Sequence, residues 1–389
     1  MHLDELGPEA VVRVYDAATG MRGVLVIDST VYGPAGGGTR MVLDLTEDEV
    51  IGLSRAMTYK WAIFDLPSGG SKAGIFGDPH MPPERKRAVL QAFGHALKPY
   101  LSNKDFLLGV GPDVGVEGTD VDEIYKGAES SNVVSWESSP DWVIDGDPAS
   151  YHLTGRGVVA AGRAALESID RSMKGATFSL EGFGQVGAGT ARYLNAEGAR
   201  LVAVTTLLGG IHDPDGIDIP RLLELRRQHG DACVLKYGRG ERITMEQLVS
   251  VPADVLVPGA RPRLIDAYNE GAVRARIVCP AGNLSVTEDA EDRLHRRGII
   301  CLPDFVVNGG GIIASWVDIV GGTPLQALAA VARLCGETTS SVLAETRTSG
   351  RPPAATARYR VRDRILMAKR RRVSFVEARA EAKRVLKLG

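Results

Sequence analysis

Nowhere does the chain carry the run of ~18 apolar residues that a membrane-spanning helix needs. Its first ten residues, MHLDELGPEA, lack both the basic start and the apolar stretch of a secretory leader. A cytoplasmic protein with no membrane partner is therefore expected. Cysteine is scarce: Cys233, Cys279, Cys301 and Cys335 are scattered in no metal-ligand spacing and read as free thiols in a reducing compartment. No metal site is expected. Charge of one sign is missing too. The 46 basic and 48 acidic side chains leave a net charge of −2, so no global field points to nucleic acid. The densest basic run, Lys369–Arg372, reads as a solvated helix face. No segment repeats.

At 389 residues the chain exceeds what one core usually holds, and two domains are expected. The organising stretch is Met57–Ile75, MTYKWAIFDLPSGGSKAGI, which sets Lys60 and Lys72 on either side of a Pro-Ser-Gly-Gly loop. The segment before it predicts a helix. Thr46 can cap it, Glu49 can close a capping box, and Leu45 with Val50 can form the hydrophobic staple. Val50, Leu53 and Met57 then recur at helical spacing. Lys60 falls near the helix C-terminus, where the dipole favours a cation. Lys72 leads into AGIF, a buried strand by its composition. A lysine among small residues there is easily desolvated, which lowers its pKa and makes a neutral amine available as a general base.

In chain order, VVRVYDAATGMRGVLVIDSTVYG predicts two strands about an Ala-Thr-Gly turn. GPAGGGTR (33–40) reads as a loop where backbone passes close to something, either a ligand or a tight turn. PPERKRAVLQAFGHALKPYL predicts a helix. KDFLLGVGPDVGV ends in a Gly-Pro-Asp turn, with Asp113 a turn residue on local grounds. Residues 129–150, rich in Ser, Asp and Pro, read as a domain junction, and Thr154 as the cap of the helix that follows it.

A strand, ATFSLE, then runs into GFGQVG and a helix closed by Gly198, with LVAVTT as the next strand. In that βαβ context Gly182, Gly184 and Gly187 form a dinucleotide fingerprint. The first glycine allows the tight turn and the second lets a pyrophosphate reach the backbone. The helix N-terminus at Gln185 and Val186 offers its unpaired N–H groups to the phosphates. The acidic residue that would read the ribose is missing, and Thr206 stands in its place. No Arg or Lys follows at once to attract a 2′-phosphate, so the residues leave NAD and NADP both open.

GPAGGGTRM, MTYK, LPSGGSKAG and GPDVGV, in this order and spacing, make the chain resemble the glutamate/leucine/phenylalanine/valine dehydrogenase family, from about Val12 to about Ser315. The resemblance implies NAD(P)-dependent oxidative deamination of an L-amino acid to its 2-oxo acid and ammonia, and the reverse, in a homo-oligomer. It implies that Lys60 binds the substrate carboxylate, that Lys72 is the catalytic lysine and that Asp113 is its acid/base partner. The loop carrying Gly36 and Gly37 would pass the substrate, and Ser315 would lie near the substrate side chain. Thr154 would lie near the nicotinamide end of the cofactor, and Asn308 and Asn283 would contact the cofactor. The family's Ala-Asn pair is here interrupted as Ala281-Gly282-Asn283.

The expected fold class is α/β: two domains flanking a cleft, the second a Rossmann-type doubly wound sheet. Residues 1–145 would form the catalytic and oligomerising domain, 150–315 the nucleotide domain, and 316–389 helices packing back on the first. Glutamate-specific relatives carry a lysine at the position of Gly36 and leucine-type relatives a leucine. Without that lysine a buried side-chain carboxylate stands unpaired, and a glycine opens space. A hydrophobic substrate larger than valine, plausibly aromatic, is the expectation; the alternatives are a glutamate-specific enzyme and a non-catalytic nucleotide-binding descendant.

Overall fold

The computed structural model describes residues 4–134, 136–137, 139–368 and 373–388, so the basic run Lys369–Arg372 lies outside the described residues. Two compact units divide the chain. One comprises Met1–Trp142, Ser315–Thr323 and Tyr359–Gly389, the other Val143–Ala314 and Pro324–Arg358.

In the first unit, β1 (Ala10–Asp16) and β2 (Met21–Ile27) form the expected antiparallel hairpin, with Asp16 paired to Met21 at the turn. The Asp16 carboxylate closes that turn by accepting from the Thr19 N–H at 2.8 Å, and Gly20 takes the left-handed conformation there (φ 70°). The remaining elements are β3 (Ala35–Val42), α1 (Glu47–Ile63), β4 (Gly69–Phe76), α2 (Pro83–Leu101), β5 (Leu107–Gly111) and α3 (Gly118–Ala128). Among the described residues the sheet order is β1-β2-β4-β3-β5, with β3 parallel to both β4 and β5.

The glycine-rich segment expected as a loop is therefore a central strand. Its glycines serve backbone packing: a Cβ on Gly37 would sit 1.7 Å from the Ser71 carbonyl oxygen, which no side chain tolerates. Gly69 and Gly70, expected in a loop, are likewise the first residues of β4. A Cβ on Gly70 would lie 2.2 Å from the backbone nitrogen of Thr58, so α1 rests directly on the strand.

That contact decides which face of α1 is buried. Val50, Ile51, Ser54, Thr58 and Trp61 point inward, while Leu53 and Met57, expected inside, are only half-buried. Ser54 and Thr58 are small enough to sit on glycine. Thr46 caps the helix by accepting from the Glu49 N–H at 3.2 Å, and Leu45 and Val50 are both buried. The capping box does not close, because the Glu49 carboxylate turns to Arg40 instead.

The second unit contains α4 (Ser150–Glu167), β6 (Thr177–Glu181), α5 (Gln185–Ala196), β7 (Arg200–Thr206), β8 (Gly209–His212), α6 (Ile219–His229), β9 (Glu241–Ile243), β10 (Val255–Val257), β11 (Ile277–Val278) and β12 (Ile300–Cys301). Among the described residues the sheet order is β9-β8-β7-β6-β10-β11-β12. From β7 to β12 the neighbours are parallel, as a Rossmann-type sheet requires, and β8 and β9 add an antiparallel edge. Strand β8 doubles back antiparallel on β7, with Gly209 paired to Thr206. Thr154 is not a cap: α4 begins a turn earlier, at Ser150. The early start lets α4 cross α5 at Gly155, where a Cβ would come within 2.4 Å of the Thr190 nitrogen.

The tail expected to return as one piece from residue 316 is divided. Helix α7 (Pro324–Ser349) belongs to the second unit, because its buried stripe of Ala327, Val331 and Cys335 packs on α4. Gly157 of α4 makes room for Val331 and Cys335. Among the described residues no helix is long and apolar enough to cross a membrane.

Candidate active site

In β4 the side chains alternate, and Gly70 and Gly74 both face α1, the latter toward Val50. Lys72 between them points to the same side. The parallel neighbour β3 contributes Gly38 and Arg40 to that side, and the turn after β5 contributes Asp113. Lys72 is only 7% exposed, and its Nζ lies 3.0 Å from Oδ2 of Asp113. Arg40 Nε donates to the same oxygen at 2.8 Å, and Arg40 Nη1 donates to Glu49 at 2.6 Å. A Cβ on Gly38 would come within 3.2 Å of the Lys72 amine and 3.1 Å of the Asp113 Cβ. Glycine at this position leaves room for the pair to meet.

Burial pushes the Lys72 ammonium below its ordinary pKa, Arg40 pushes it further, and the Asp113 carboxylate opposes both. For Asp113, burial alone would raise the carboxyl, but the adjacent Lys72 and Arg40 cations outweigh it and hold it below the usual range. The result is an acid kept ionised beside an amine biased toward neutrality. Such a pair can take a proton from water and pass protons to and from a nitrogen.

Lys60 is half-buried in the last turn of α1, one residue before Trp61. The Trp61 indole N–H donates to the Gly36 carbonyl at 3.0 Å. A Cβ on Gly36 would meet Trp61 and Leu108 at 3.3 Å each, so the absent side chain opens no space. The expectation of extra volume at Gly36 is thereby corrected: Trp61 and Leu108, both buried, already fill it. Ser315 is half-buried, and its hydroxyl accepts from the Trp136 indole N–H at 3.2 Å. Its neighbour Trp316 donates to Ser68, just ahead of β4, at 3.2 Å.

The second unit holds a separate cluster. Gly182 turns the chain at φ 85° after β6, and a Cβ on Gly187 would strike the Gly182 carbonyl at 2.1 Å. Gly184 begins α5, carries no capping side chain, and has nothing within 4 Å of where its Cβ would be. Gln185 and Val186 lie in the first turn of α5, where backbone N–H groups have no intrahelical acceptor, the arrangement a pyrophosphate can use. Behind the turn, buried Glu181 accepts from the backbone of Gly259 at 3.0 Å and Ala260 at 2.8 Å, holding Ala260 against Gly182.

Asn308 and Asn283 come together: Asn308 Nδ2 donates to Asn283 Oδ1 at 2.9 Å. The Asn308 Oδ1 is buried without a partner, an acceptor that the carboxamide of a nicotinamide could satisfy. These features fit a nicotinamide dinucleotide. Thr206 closes β7. It is buried, and its hydroxyl donates inward to the Asp231 carbonyl at 2.8 Å. The turn that follows exposes Leu207 and Leu208 in place of any charge that could select for or against a 2′-phosphate. Thr154 lies half-buried inside α4.

The open space at Gly184 yields a clean expectation. Gly184→Val has an ordinary backbone conformation to adopt (φ −76°) and no neighbour to strike, so the melting temperature should hardly change. Its side chain would stand where phosphate must go, and NADH affinity by fluorescence titration should fall by about tenfold or more. An unchanged Kd would remove the fingerprint from the cofactor site.

Three residues were not singled out from the sequence: Arg40, Gly38 and Trp61. Their signals were available, as an arginine and a glycine inside GPAGGGTR and a tryptophan directly after Lys60.

Comparison with known proteins agrees in both units. Residues 146–341 match the family model described as Glutamate/Leucine/Phenylalanine/Valine dehydrogenase, and residues 8–130 match the Glu/Leu/Phe/Val dehydrogenase dimerisation domain. The NADP-specific glutamate dehydrogenase of Saccharolobus shibatae is 30% identical over 329 residues, covering 80% of this chain and 75% of that protein. The glutamate dehydrogenase of Thermotoga maritima is 33% identical over 308 residues, covering 77% and 72%. Among solved structures, the hetero-hexameric glutamate dehydrogenase of Thermus thermophilus in its Leu-bound form aligns with a TM-score of 0.78 at 25% identity, covering 93% of this chain and 89% of that one. Both NADP-specific and NAD-specific enzymes are among the matches.

Proposed function

Since the chain belongs to the glutamate/leucine/phenylalanine/valine dehydrogenase family, we propose that Lys72 and Asp113 carry the acid–base steps of an L-amino-acid oxidation. The enzyme is an NAD(P)-dependent dehydrogenase acting on a CH–NH2 group. The observation that carries the assignment of roles is the buried Lys72 amine 3.0 Å from Asp113 Oδ2. Lys60 binds the substrate α-carboxylate. Asp113 takes a proton from the substrate ammonium, and a bound nicotinamide would supply the acceptor for the hydride of the α-carbon, so that the substrate is oxidised to an iminium. Neutral Lys72 then takes a proton from water as the water oxygen adds to the iminium carbon. Asp113 returns that proton to the nitrogen of the adduct, and as ammonia departs the Asp113 carboxylate takes the hydroxyl proton, leaving the 2-oxo acid. Gly182, Gly184, Gln185, Val186 and Gly187 cradle the pyrophosphate, and Asn308 with Asn283 holds the nicotinamide end. An oligomeric assembly is part of this reading, as the Thermus thermophilus relative is hetero-hexameric by its description.

For the substrate side chain, the names of the relatives favour L-glutamate, and they support it better than the hydrophobic expectation does. One observation favours the second reading, an uncharged side chain. Trp61 and Leu108 wall the position where glutamate-specific relatives carry a lysine, and the Ser315 hydroxyl is engaged by Trp136. A side-chain carboxylate buried there without a cation would cost several kcal/mol.

The experiment is kcat/KM for glutamate, valine, leucine, phenylalanine and tryptophan, each with NAD and NADP. Glutamate leading by about tenfold or more would settle the first reading, and a larger apolar residue leading by that margin the second (about 1.4 kcal/mol in either case). Oxidation of none of them would defeat both. The two cofactors should differ little, because the Leu207–Leu208 turn carries no charge to discriminate them.

A further inference from the structure

The ionic cluster contains one member that the roles of Lys72 and Asp113 leave unexplained. Arg40 Nε and Lys72 Nζ both approach Oδ2 of Asp113, at 2.8 and 3.0 Å. Arg40 is itself held from behind, by Glu49 in the first turn of α1 at 2.6 Å. Its side chain is 18% exposed, and that of Asp113 is 19% exposed. We propose that Arg40 is a positioning residue of the reaction: it pins Oδ2 of Asp113, leaves Oδ1 to exchange protons with the substrate nitrogen, and keeps Asp113 ionised while Lys72 is neutral. The inference rests on the assignment of Lys72 and Asp113 given above.

The physical need arises from the reaction itself. Lys72 must be neutral to take a proton from water, and at that moment Asp113 loses the charge of its nearest cation. A carboxylate left beside a neutral amine in a buried site would take up a proton. A guanidinium cannot release its proton in this pH range, so Arg40 remains as counter-ion throughout the cycle. The same charge bears on Lys72. Two cations sharing one carboxylate oxygen disfavour each other, and the ammonium is the one able to yield. The cause is visible at both partners, since Arg40 lowers Lys72 and Asp113 alike. Among the described residues, Arg40 from β3 faces both members of the pair, Lys72 from β4 and Asp113 after β5 face each other, and Glu49 from α1 stands behind Arg40. Glu49 fixes the guanidinium in place, which is why its carboxylate does not close the capping box.

Two variants and a pH profile test the inference. Arg40→Met removes a cation adjacent to both ionising groups, so both pKa values should rise. The limbs of the kcat/KM profile should then move toward higher pH by about one unit, with kcat down about tenfold or more. NADH affinity should be unchanged. Arg40→Lys keeps the charge and loses the fork, so its limbs should stay near those of the parent while kcat falls severalfold. Limbs that stay in place in folded Arg40→Met would overturn the inference, whatever the loss of rate, because a merely structural arginine leaves them unmoved. Should Arg40→Met fail to fold, Arg40→Lys carries the test, and undiminished kcat in that variant would overturn the positioning role. Lys72→Ala separates the two levels. If that variant retains turnover, the underlying assignment fails; if it is inactive and the Arg40→Met limbs are unmoved, only the role of Arg40 fails.

Discussion

Lys72→Ala should lower kcat by about two to four orders of magnitude, the usual worth of a positioned general base. The variant removes the amine beside Asp113 Oδ2 and leaves Arg40 to neutralise the carboxylate. An ammonium is costly to bury, so its loss should not unfold the protein, and the melting temperature should stay within a few degrees. The nucleotide residues belong to the second unit, so NADH affinity should be retained. The measurement is steady-state turnover together with a fluorescence titration of NADH. Turnover within threefold of the parent would end the case for Lys72 as the base. A small primary amine added to the assay should restore part of the rate in the alanine variant and none in the parent.

Asp113→Asn should be nearly as damaging, with kcat down by about two to four orders of magnitude. Asparagine keeps the shape and loses the proton carrier. The turn should survive, because backbone closes it: the Asp113 N–H donates to Val116 at 3.1 Å, the Val116 N–H donates back at 2.9 Å, and Gly115 supplies φ 79°. The stability difference carries a sign. The Asp113 carboxyl is held below its usual range, so its ionisation stabilises the fold above the unfolded-state pKa, and that contribution is lost as pH falls through the depressed folded-state value. The melting temperatures of parent and Asp113→Asn should therefore differ at neutral pH and converge in acid. A gap that widens on acidification would contradict the assigned ionisation, and an unfolded asparagine variant would return Asp113 to a structural turn.

Lys72 was legible from its own surroundings in the sequence, and Asp113 only through the family resemblance, since locally it reads as a turn residue; other residues were legible by neither route. Thr46, the β1–β2 turn and the glycine fingerprint rest on local chemistry, so local reading sufficed. Strand β3 rests on nothing local. Glycine has no preference for strands, and Gly37 is in one because β4 packs too closely for any other residue. Arg40 meets Asp113 across 73 positions of chain, a partnership that no window of sequence contains. Thr154 was placed by capping chemistry and Thr206 by its position after the glycine fingerprint. Helix packing at Gly155 starts α4 a turn early, and the Asp231 carbonyl draws the Thr206 hydroxyl inward. Leu53 and Met57 were assigned to the buried face of α1 by period alone, before the glycine platform beneath Ser54 and Thr58 could be known.

The glycines of β3 and β4 have an evolutionary corollary. Positions 37, 69 and 70 are constrained by backbone spacing, with a Cβ at each falling 2.2 Å or less from a main-chain atom, so they are mutationally frozen irrespective of what the enzyme oxidises. Position 36 is different in kind. The atoms nearest its Cβ would be side-chain atoms of Trp61 and Leu108, at 3.3 Å, and side chains can be exchanged where a backbone cannot. A lineage drifting toward a new substrate therefore has one loose seam here: residues 36, 61 and 108 are free to vary, but only in concert, and a larger residue at 36 has to arrive with a smaller one at 61 or 108.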